Sequence, residues 1–588
     1  MSNRRIGVYI CHCGGNISDY VDVDRVREAV QNEPGVVVAR TAMFTCSDAT
    51  QQEMVQDIRE QNLDGLVVAS CSPKLHLFTF RNVARRAGLN PYQYTQVNVR
   101  EQCSWTHTDD REGATIKAIR LIRGGIARTS LTEPLEPIII GTVPQVLVVG
   151  AGIAGLRAAI GMADIGISVF LVEKSPAVGG WINRLGKMYP HEKNGKQLIA
   201  KLVDEVKKRE NITLFTSAEL VEKSGNIGNF NVKIRVSGQG NKKDDITANV
   251  GSIIVATGFD TYQPGAGEYG YGEDGVITLP EFKELLDRSD GIPTRNGKEI
   301  KDVVYIYCVG SRQQPDLENP NRYCSRYCCN AAVHSSILVS EKNPKSHQYH
   351  LFRDMRTYGR YELLYGRSRE KGSTYLRFGD DEPPAVEKCP DGKIKVTVKD
   401  LLTFGEEVEI KADVVVLVTG MVPRKNGELV DVLKLPVGRD RFFNEIHPKL
   451  RPVETVVDGV FICGTCQGPK NSSESVASAL SAVTQSASIL KKGYVELEPL
   501  MASVNPELCE WCDLCVKTCP YSAIEKSEDQ GKEVARINKT GCKGCGGCVP
   551  VCPRDAIDLK GYTDAQIKAM IDGFLRNGDT PPAEECPQ

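Results

Sequence analysis

Short apolar runs alternate with stretches of helical periodicity through most of the chain, a pattern that predicts α/β domains. Near the N terminus, residues 6–10 and 66–70 read as buried strands, and the segment between them repeats its apolar positions with the period of a helix. We therefore expect a small α/β domain with a parallel sheet over residues 1–135. Cys11 and Cys71 follow the two runs directly, at the strand ends where such sheets place functional sites.

The rest of the chain divides into three further segments. A linker at 136–143 precedes a long α/β region at 145–490, and 498–560 follows a proline-bearing stretch. The last segment, 561–588, is predicted to be a helix and a tail, because Thr563 to Gln566 reads as a capping box. The apolar residues behind this box share one helical stripe: Ile567, Met570, Ile571, Phe574 and Leu575. We expect this helix to pack on its own domain rather than on a partner.

Composition restricts the class of protein. The 588 residues carry 73 Lys and Arg against 75 Asp and Glu, a net charge of -2 that offers nucleic acid no basic surface. The longest apolar runs, such as 146–149 and 414–418, have the length of strands, and the start lacks a signal-peptide pattern. We expect a cytoplasmic protein that binds no nucleic acid. In that reducing compartment, 21 cysteines beside 8 histidines indicate iron–sulfur or redox sites rather than disulfides.

Two copies of one cysteine motif lie between residues 509 and 552. Each copy reads C-x2-C-x2-C-x3-C-P, a spacing used for 4Fe–4S clusters in which the fourth cysteine of each copy binds the other cluster. One cluster is therefore assigned to Cys509, Cys512, Cys515 and Cys552, and the other to Cys542, Cys545, Cys548 and Cys519. The alternatives are a zinc ribbon or a disulfide knot, but two complete copies with Pro520 and Pro553 in place favour a two-cluster ferredoxin domain.

A glycine motif after a buried strand predicts a dinucleotide site. The apolar run 146–149 leads into Gly-Ala-Gly-Ile-Ala-Gly at 150–155, which opens a helix in the G-x-G-x-x-G pattern. Gly150 makes the tight turn, Gly152 lets a pyrophosphate reach the helix N-terminus, and Gly155 allows close packing of helix on strand. The next strand, at 168–172, ends at Glu173, where an acid that binds a ribose belongs.

Further segments indicate FAD rather than NAD alone, which remains the alternative. The run 253–258 looks like the strand that returns the chain to the flavin domain in flavoproteins with two dinucleotide sites, and 456–464 looks like the late strand over the flavin. Thr465 stands where many such proteins have an aspartate. The predicted FAD contacts are Gly150, Gly152, Ile153, Ala154, Gly155, Glu173, Lys174, Gly180, Trp181, Ala256, Thr257, Gly258, Gly464 and Thr465.

A second dinucleotide subdomain is expected at 265–415, but its nicotinamide motif is degenerate. The strand at 303–307 is followed by Cys308 and not by G-x-G-x-x-G, and Cys324, Cys328 and Cys329 come next. Four thiolates predict an iron–sulfur cluster where nicotinamide would dock, with arginines offsetting its charge, namely Arg312, Arg322 and Arg326. The alternatives are a redox-active pair of adjacent cysteines or buried free thiols.

Five more cysteines are spread over the N-terminal domain without short ligand spacing: Cys11, Cys13, Cys46, Cys71 and Cys103. A 4Fe–4S cluster needs four ligands, so one of Cys11 and Cys13 is expected to be a bystander, and Cys13 is favoured as the ligand. The alternative is a set of scattered core cysteines.

These motifs together resemble the A subunit of the heterodisulfide reductases over nearly the whole chain. The N-terminal cluster domain of that family is similar to the motifs Cys-His-Cys-Gly-Gly-Asn at 11–16, Cys-Ser-Asp at 46–48 and Cys-Ser-Pro at 71–73. Three segments are more specific to it: Tyr-Cys-Ser-Arg-Tyr-Cys-Cys at 323–329, Arg-Asp-Met-Arg-Thr-Tyr-Gly at 353–359 and Cys-Gln-Gly-Pro-Lys at 466–470.

The resemblance implies both a fold and a function. The fold would be a thioredoxin-reductase-like FAD Rossmann core, with an N-terminal α/β iron–sulfur domain and a C-terminal bacterial-type ferredoxin domain, holding up to four 4Fe–4S clusters. The function would be electron transfer, with electron pairs split or merged at the flavin. The implied partners are the B and C subunits, a ferredoxin, and a donor linked to a hydrogenase, a flavin oxidoreductase or a dehydrogenase, with the chain forming a homodimer within a larger complex.

Two features depart from the family pattern. Methanogen members insert a further ferredoxin domain before the Ala-Thr-Gly strand, but only a short segment separates Phe230 from Ile253 here. Family members often carry a lysine near the flavin where this chain has His334. Simple flavin-mediated transfer is therefore the alternative to pair splitting. Lys470 and His334 are predicted to lie near the isoalloxazine as catalytic residues, against the alternative of a solvated lysine and a core histidine.

Two other functions stay open. Cys463 and Cys466 form a C-x-x-C, as a stand-alone NAD(P)H-dependent flavin disulfide reductase would require. The chain is alternatively a non-catalytic scaffold that carries clusters between its partners.

Overall fold

The computed structural model describes residues 4–237 and 243–576. Within them the chain forms two compact units, one holding the residues up to Ile139 and from Glu496 onward, the other holding Ile140–Val495. The terminal segments thus belong to one unit, although the sequence treats them as separate domains. Part of the predicted C-terminal tail, 577–588, lies outside the described residues.

The N-terminal part of the first unit is built on a parallel sheet of four strands in the order β2–β1–β3–β4. Its strands are β1 Ile6–Cys11, β2 Val36–Ala42, β3 Gly65–Ser70 and β4 Tyr94–Asn98, and its helices are α1 Val23–Val30, α2 Asp48–Glu60, α3 Pro73–Ala87 and α4 Arg111–Ser130. The two predicted strands are central, and every residue of both is buried. The parallel α/β prediction is confirmed for this part.

The second unit begins within strand β5 Ile138–Gly141 and contains two parallel sheets. The first has the order β10–β7–β6–β14–β27. Its strands are β6 Gln145–Val149, β7 Ser168–Val172, β10 Ile212–Phe215, β14 Ser252–Val255 and β27 Val460–Ile462, and its helices are α5 Ile153–Asp164, α6 Gly195–Lys207 and α11 Ser472–Leu490. The chain leaves this sheet after β10 and returns to it at the two strands that the sequence predicts to lie beside the flavin.

An antiparallel sheet fills the connection between β10 and β14, where the inserted ferredoxin domain of methanogen members is expected. Its strands are β11 Ala218–Asn226, β12 Asn229–Ser237 and β13 Lys243–Val250. In the described part of this connection, three strands therefore stand in place of a cluster domain.

The second parallel sheet of this unit has the order β16–β25–β19–β20–β21. Its strands are β16 Val276–Thr278, β19 Asp302–Val309, β20 His347–Phe352, β21 Thr374–Arg377 and β25 Val414–Thr419, with helices α7 Leu279–Arg288, α8 Cys328–Lys342 and α9 Tyr361–Glu370. An antiparallel sheet follows β21, with strands β22 Ala385–Lys388, β23 Ile394–Asp400 and β24 Glu406–Ala412. This is the second subdomain that the sequence predicts at 265–415.

Short elements complete the second unit. They are β8 Lys187–Met188, β9 Lys193–Asn194, β15 Phe259–Thr261, β17 Thr294–Arg295, β18 Lys298–Glu299, β26 Met421–Pro423, α10 Gly427–Leu433 and β28 Tyr494–Leu497. Strands β15 and β26 pair with each other, and they lie on the two chain segments that pass between the parallel sheets.

The C-terminal segment contains two small antiparallel ladders. Strand β29 Ala502–Val504 pairs with β32 Ile557–Leu559, and β30 Ile524–Asp529 pairs with β31 Lys532–Ile537 around the short helix α12 Leu514–Thr518. Helix α13 Asp564–Leu575 begins at the predicted capping box. It packs on α4, where Gln566 Nε2 donates to Leu131 O at 2.9 Å. The helix thus packs within its own chain, but on α4 of the segment 1–135, which the sequence assigns to another domain. Three residues of the predicted apolar stripe stay exposed, namely Ile567, Ile571 and Leu575.

Candidate functional site

The G-x-G-x-x-G loop has the geometry that its glycines predict. Gly150 has a φ of +103°, and a Cβ there would lie 2.5 Å from Ala256 O. A Cβ on Gly155 would lie 1.7 Å from Gly150 O, so helix α5 packs directly on the turn. A Cβ on Gly152 would meet no protein atom within 4 Å. The outer glycines therefore serve packing, whereas Gly152 leaves the N-terminus of α5 open to an anionic ligand.

Glu173, at the end of β7, is oriented by the same loop. Its Oε2 accepts a hydrogen bond from Ala151 N at 2.8 Å, and its Oε1 accepts one from Ser175 N at 2.9 Å. A carboxylate oxygen can accept more than one hydrogen bond, so both oxygens can still accept from ribose hydroxyls. Lys174 differs from the prediction, because its side chain is exposed and pairs with Glu219 at 2.5 Å.

A cleft in the second unit collects most of the predicted FAD contacts. It is lined by Gly150, Gly152, Ile153, Ala154, Glu173, Gly180, Trp181, Ala256, Thr257, Gly258 and Thr465. Two other predicted contacts support it from behind. Gly155 packs on the turn, and a Cβ on Gly464 would lie 2.8 Å from Ala154 Cβ. Residues beside the second parallel sheet also line the cleft. They are Tyr327, which precedes α8, several residues of α8, and Tyr361 of α9. The residues present therefore fit a dinucleotide that reaches from one sheet to the other.

Both predicted catalytic residues line this cleft. Burial lowers the pKa of Lys470, an effect that Cys466 and two carboxylates oppose. Burial also lowers the pKa of His334 to about 3, so its imidazole is neutral near pH 7. Its Nε2 lies 3.2 Å from Glu192 Oε1. The cleft contains a further lysine, Lys283 of α7, which sequence reasoning missed because a lysine on an amphipathic helix normally faces solvent.

Each of the four cysteines of the second subdomain shifts the pKa of at least one of the others. A hydrogen bond with Cys329 and burial raise the pKa of Cys328 well above its usual value, and Cys308 and Cys324 act in the same direction. The hydrogen bond with Cys328 in turn lowers the pKa of Cys329. The thiols come from the end of β19, from the loop before α8 and from the first turn of α8. The structure thus brings together the residues that the sequence predicts as one ligand set.

Arginines surround these thiols, but not all of them are the predicted ones. Arg353 lowers the pKa of Cys308, which burial raises, and Arg356 lowers that of Cys329. Of the predicted arginines, Arg312 lowers the pKa of the same two thiols and pairs with Asp354 at 2.7 Å. Arg326 contributes its backbone amide, which donates to Cys324 Sγ at 3.3 Å, while its guanidinium pairs with Glu474 at 2.6 Å. The signal for the two additional arginines is the family segment at 353–359. Positive charge of this kind offsets the charge of a thiolate-bound cluster.

In the N-terminal sheet, four of the five cysteines share one environment. Burial raises the pKa of Cys46 and of Cys71, and Cys11 and Cys13 raise it further. Arg100 Nη1 lies 3.2 Å from Cys13 Sγ, and Thr45 N donates to Cys11 Sγ at 3.4 Å.

Cys103 lies in a different setting. It is fully buried and its Sγ donates to Ala114 O of α4 at 3.0 Å. Burial raises the pKa of Cys103 to about 11, and Lys117 is the charged group that opposes this. The structure therefore groups Cys11 with Cys13, Cys46 and Cys71, whereas the sequence predicted Cys103 as a ligand and favoured Cys13 over Cys11.

The ferredoxin segment forms two cysteine-lined hollows that exchange their fourth ligands as the motif predicts. One is lined by Cys509, Cys512, Cys515 and Cys552, and the other by Cys542, Cys545, Cys548 and Cys519. Backbone amides four residues beyond the exchanged cysteines donate to them, Ala523 N to Cys519 Sγ at 3.4 Å and Ala556 N to Cys552 Sγ at 3.3 Å. Such N–H···S bonds stabilise thiolates that carry cluster charge.

Three other features bear on the function. Cys463 and Cys466 are buried, Cys466 Sγ donates to Cys463 O at 3.1 Å, and neither thiol lines the cleft. Within residues 4–237 and 243–576, no three Cys, His, Asp or Glu side chains have the spacing that one metal ion needs, so the cluster assignments rest on motif and grouping.

None of the described helices has the length and apolar character required to span a membrane.

A dinucleotide cleft joined in one chain to cysteine-lined sites defines an iron–sulfur flavoprotein oxidoreductase. A family profile described as FAD dependent oxidoreductase matches residues 145–226, and one described as 4Fe-4S dicluster domain matches residues 508–556. The chain belongs to the family of heterodisulfide reductase A subunits and uses FAD and 4Fe–4S clusters as cofactors.

The relatives cover almost the whole chain. It is 37% identical to the second iron–sulfur A subunit of CoB–CoM heterodisulfide reductase from Methanopyrus kandleri, over 90% of this chain and 92% of the relative. It is 36% identical to the corresponding A subunit of Methanocaldococcus jannaschii, over 97% and 98%. That alignment runs over 653 positions, so the relative has residues with no counterpart among these 588. Among solved structures, thioredoxin reductase of T. acidophilum matches with a TM-score of 0.41 and 18% identity, covering 59% of this chain and 99% of that one.

Proposed function

We propose that this chain distributes electrons within a heterodisulfide-reductase-like complex, where its flavin exchanges electron pairs and its clusters pass single electrons to and from partner proteins. The protein's part in such chemistry is to hold each cofactor in place and to adjust its potential through charge and burial. The cleft and the cysteine-lined hollows supply these positions within one chain.

One observation carries the proposal. Near the end of β19, where a nicotinamide site would begin, the chain groups four cysteines, and neighbouring arginines lower the pKa of two of them, Cys308 and Cys329. The other two are Cys324 and Cys328. A cluster at this place would pass electrons one at a time to a flavin in the neighbouring cleft. The donor would then be a redox protein rather than a soluble hydride carrier.

A fourth cluster is proposed at the N-terminal sheet, held by Cys11, Cys13, Cys46 and Cys71. Cys103 is assigned a packing role instead, since its thiol is satisfied by Ala114 O. Beta strands that end together at one sheet edge bring these ligands close without any short sequence spacing.

The partners are proposed from the relatives. One relative is the A subunit of an H(2):CoB-CoM heterodisulfide,ferredoxin reductase, and another is that of a Ferredoxin/F(420)H(2)-dependent CoB-CoM heterodisulfide reductase. By analogy, this chain would form a cytoplasmic homodimer together with proteins related to the B and C subunits. Its donor would be linked to a hydrogenase, a flavin oxidoreductase or a dehydrogenase, and a disulfide or a ferredoxin would be its acceptor.

Iron and flavin analysis of the anaerobically purified chain tests this proposal. Four cubanes predict about sixteen irons per chain beside one FAD. Cys11→Ser should remove about four of these irons, whereas the matched Cys103→Ser, which keeps a hydroxyl donor for Ala114 O, should remove none. Iron loss from Cys103→Ser together with retention in Cys11→Ser would reverse the assignment.

A second measurement separates the proposal from a stand-alone disulfide reductase. NADPH without any partner should leave the flavin oxidised. Rapid bleaching of the flavin by NADPH alone would show direct hydride transfer and would contradict the proposed route through clusters.

A further inference from the structure

Lys283 is a half-buried lysine of the cleft that neither the dinucleotide motifs nor the fold require. It lies on the first turns of α7, whose Leu279 and Pro280 also line the cleft. Its Nζ donates to Ser335 Oγ of α8 at 3.5 Å, next to His334. Burial lowers the pKa of Lys283 to about 8, although Asp287 and Glu192 raise it. An amine of this kind is readily protonated and deprotonated near physiological pH.

Two carboxylates raise the pKa of this lysine, and the one on Glu192 is open to solvent. The Glu192 side chain is 43% exposed, and its carboxylate contacts His334 Nε2 at 3.2 Å. Glu192 also adopts a φ of +51°, a conformation that a residue with a side chain rarely adopts unless its surroundings hold it there. Asp287, the other carboxylate that raises the pKa of Lys283, pairs with the exposed Lys196 at 3.7 Å.

The remaining charges near this group are cationic. Arg367 and Lys187 lower the pKa of His334, as Lys283 itself does after burial. Because His334 stays neutral, it can accept or donate a hydrogen bond without adding a charge to the cleft. The arrangement leads from the cleft through Lys283 to Glu192 at the surface.

We propose that Lys283 is the proton-exchanging residue of the flavin site, and that Glu192, held by His334, restores its proton from solvent. The proposal depends on FAD occupying this cleft. It assigns a role to a residue outside the dinucleotide motifs.

The chemistry balances as follows. Bound FAD would supply two-electron chemistry, and the clusters would carry the electrons in and out. Lys283 would give one proton to the reduced ring: one Nζ–H bond would break, one ring N–H bond would form, and the ammonium would become a neutral amine. Glu192 would then pass a solvent proton back to the amine. For the reverse direction, Lys283 would first release one proton through Glu192 to solvent, and the neutral amine would accept the ring proton as both electrons leave through the clusters.

Trace labelling of lysines with acetic anhydride tests the placement without relying on activity. The full-length chain is labelled over a pH series with FAD bound and after FAD has been removed, and each lysine is quantified by peptide mass spectrometry. Without FAD, the reactivity of Lys283 should be half-maximal near pH 8, and bound FAD should reduce it at least tenfold. Lys196, which is 58% exposed beside the same Asp287, is the matched control and should label equally in both states.

The result that overturns the inference is equal labelling of Lys283 with and without FAD. A chain that binds no FAD at all would instead contradict the flavoprotein assignment, so the two failures are distinguishable.

Rates of flavin reduction by dithionite separate proton exchange from a static charge. Lys283→Met should slow reduction at least tenfold near pH 7 and remove the inflection near pH 8. Lys283→Arg keeps the positive charge but does not release a proton at these pH values, so it should remain slow. Lys196→Met should match the unchanged protein. If Lys283→Arg restores both rate and inflection, the lysine acts only through its charge and the proposal is wrong.

Discussion

At the residue scale, two glycines of the loop at 150–155 affect different properties, one the affinity for FAD and the other the stability of the fold. Gly152 faces open space at the N-terminus of α5, whereas Gly155 lies against the backbone of Gly150. An added methyl group would therefore meet the ligand in the first case and the protein itself in the second. Affinity for FAD and stability of the fold can be separated at this loop.

Gly152→Ala and Gly155→Ala test this separation. Gly152→Ala should leave the free energy of unfolding of the FAD-free chain unchanged but abolish FAD binding, because its Cβ occupies the approach of the pyrophosphate. Gly155→Ala should lower the free energy of unfolding by about 1–3 kcal/mol, because its Cβ overlaps Gly150 O. Denaturant unfolding and FAD titration measure the two effects. Equal loss of stability in both variants would contradict this assignment.

At the element scale, strand β20 places two histidines in opposite environments. His350 is fully buried, its ring is stacked between Tyr305 and Tyr375, and its Nδ1 lies 2.9 Å from Tyr307 Oη. Burial lowers the pKa of His350 to about 3. His347, nearer the start of the strand, is 67% exposed. The strand thus carries both a buried histidine that stays neutral and a surface histidine.

Acid should destabilise the second unit through His350. Its pKa in the folded state is about 3, below the value of ~6.5 in an unfolded chain. Between these values the unfolded state binds a proton that the folded state excludes. The free energy of unfolding should therefore fall as pH drops below ~6.5, by up to about 1.4 kcal/mol per pH unit.

His350→Gln should reduce this pH dependence, while His347→Gln, its exposed neighbour, should leave it unchanged. Denaturant unfolding at a series of pH values from 7 down to 5 measures both slopes. An unchanged slope in His350→Gln would show that this histidine does not titrate on unfolding in that range.

The ferredoxin repeat is also an element-scale feature, because each hollow borrows its fourth cysteine from the other half. Cys519→Ser combined with Cys542→Ser should cost only one cluster, about four irons per chain, since both cysteines line one hollow. Cys519→Ser combined with Cys509→Ser should cost both clusters, about eight irons. Iron analysis decides between this exchange and independent halves, for which the two double variants would give the opposite result.

At the scale of the whole molecule, the two ends of the chain close one compact unit. Helix α13 lies on α4 so closely that a Cβ on Gly573 would be 2.9 Å from Arg123 O. Arg128 Nη2 of α4 donates to Gly561 O at 2.6 Å, and its guanidinium lies 4.2 Å from the centre of the Tyr562 ring. The ferredoxin segment is therefore tied to the N-terminal sheet and is not a free carrier.

Gly573→Leu should separate these helices and lower the free energy of unfolding of the first unit by about 1–3 kcal/mol, because the larger side chain overlaps the backbone of α4. Ala565→Leu, at an exposed position of the same helix, is the control and should have little effect. Thermal unfolding and limited proteolysis near residue 563 report the change. Equal unfolding temperatures for the two variants would contradict close packing at Gly573.

The local motifs of this protein can be read directly from its sequence. The cysteine spacing at 509–552, the glycine loop at 150–155 and the capping box at Thr563 each specify a short segment, because their chemistry depends on neighbouring residues. The apolar runs likewise predicted β1, β3, β6 and β14. In each case the pattern that identifies the element lies within a short stretch of sequence.

Which distant residues share a site became visible only in the folded chain. Cys103 was separated from the other N-terminal thiols, Arg353 and Arg356 were brought to the second cysteine group, and Lys283 was turned into the cleft. Cys103 and Lys283 have no local signal, and Arg353 and Arg356 are marked only by the family segment at 353–359, because burial and charge at such positions depend on which helices pack over which sheet. The same residue types would face solvent in an isolated helix or loop, and it is the packing of the layers that gives them their chemistry.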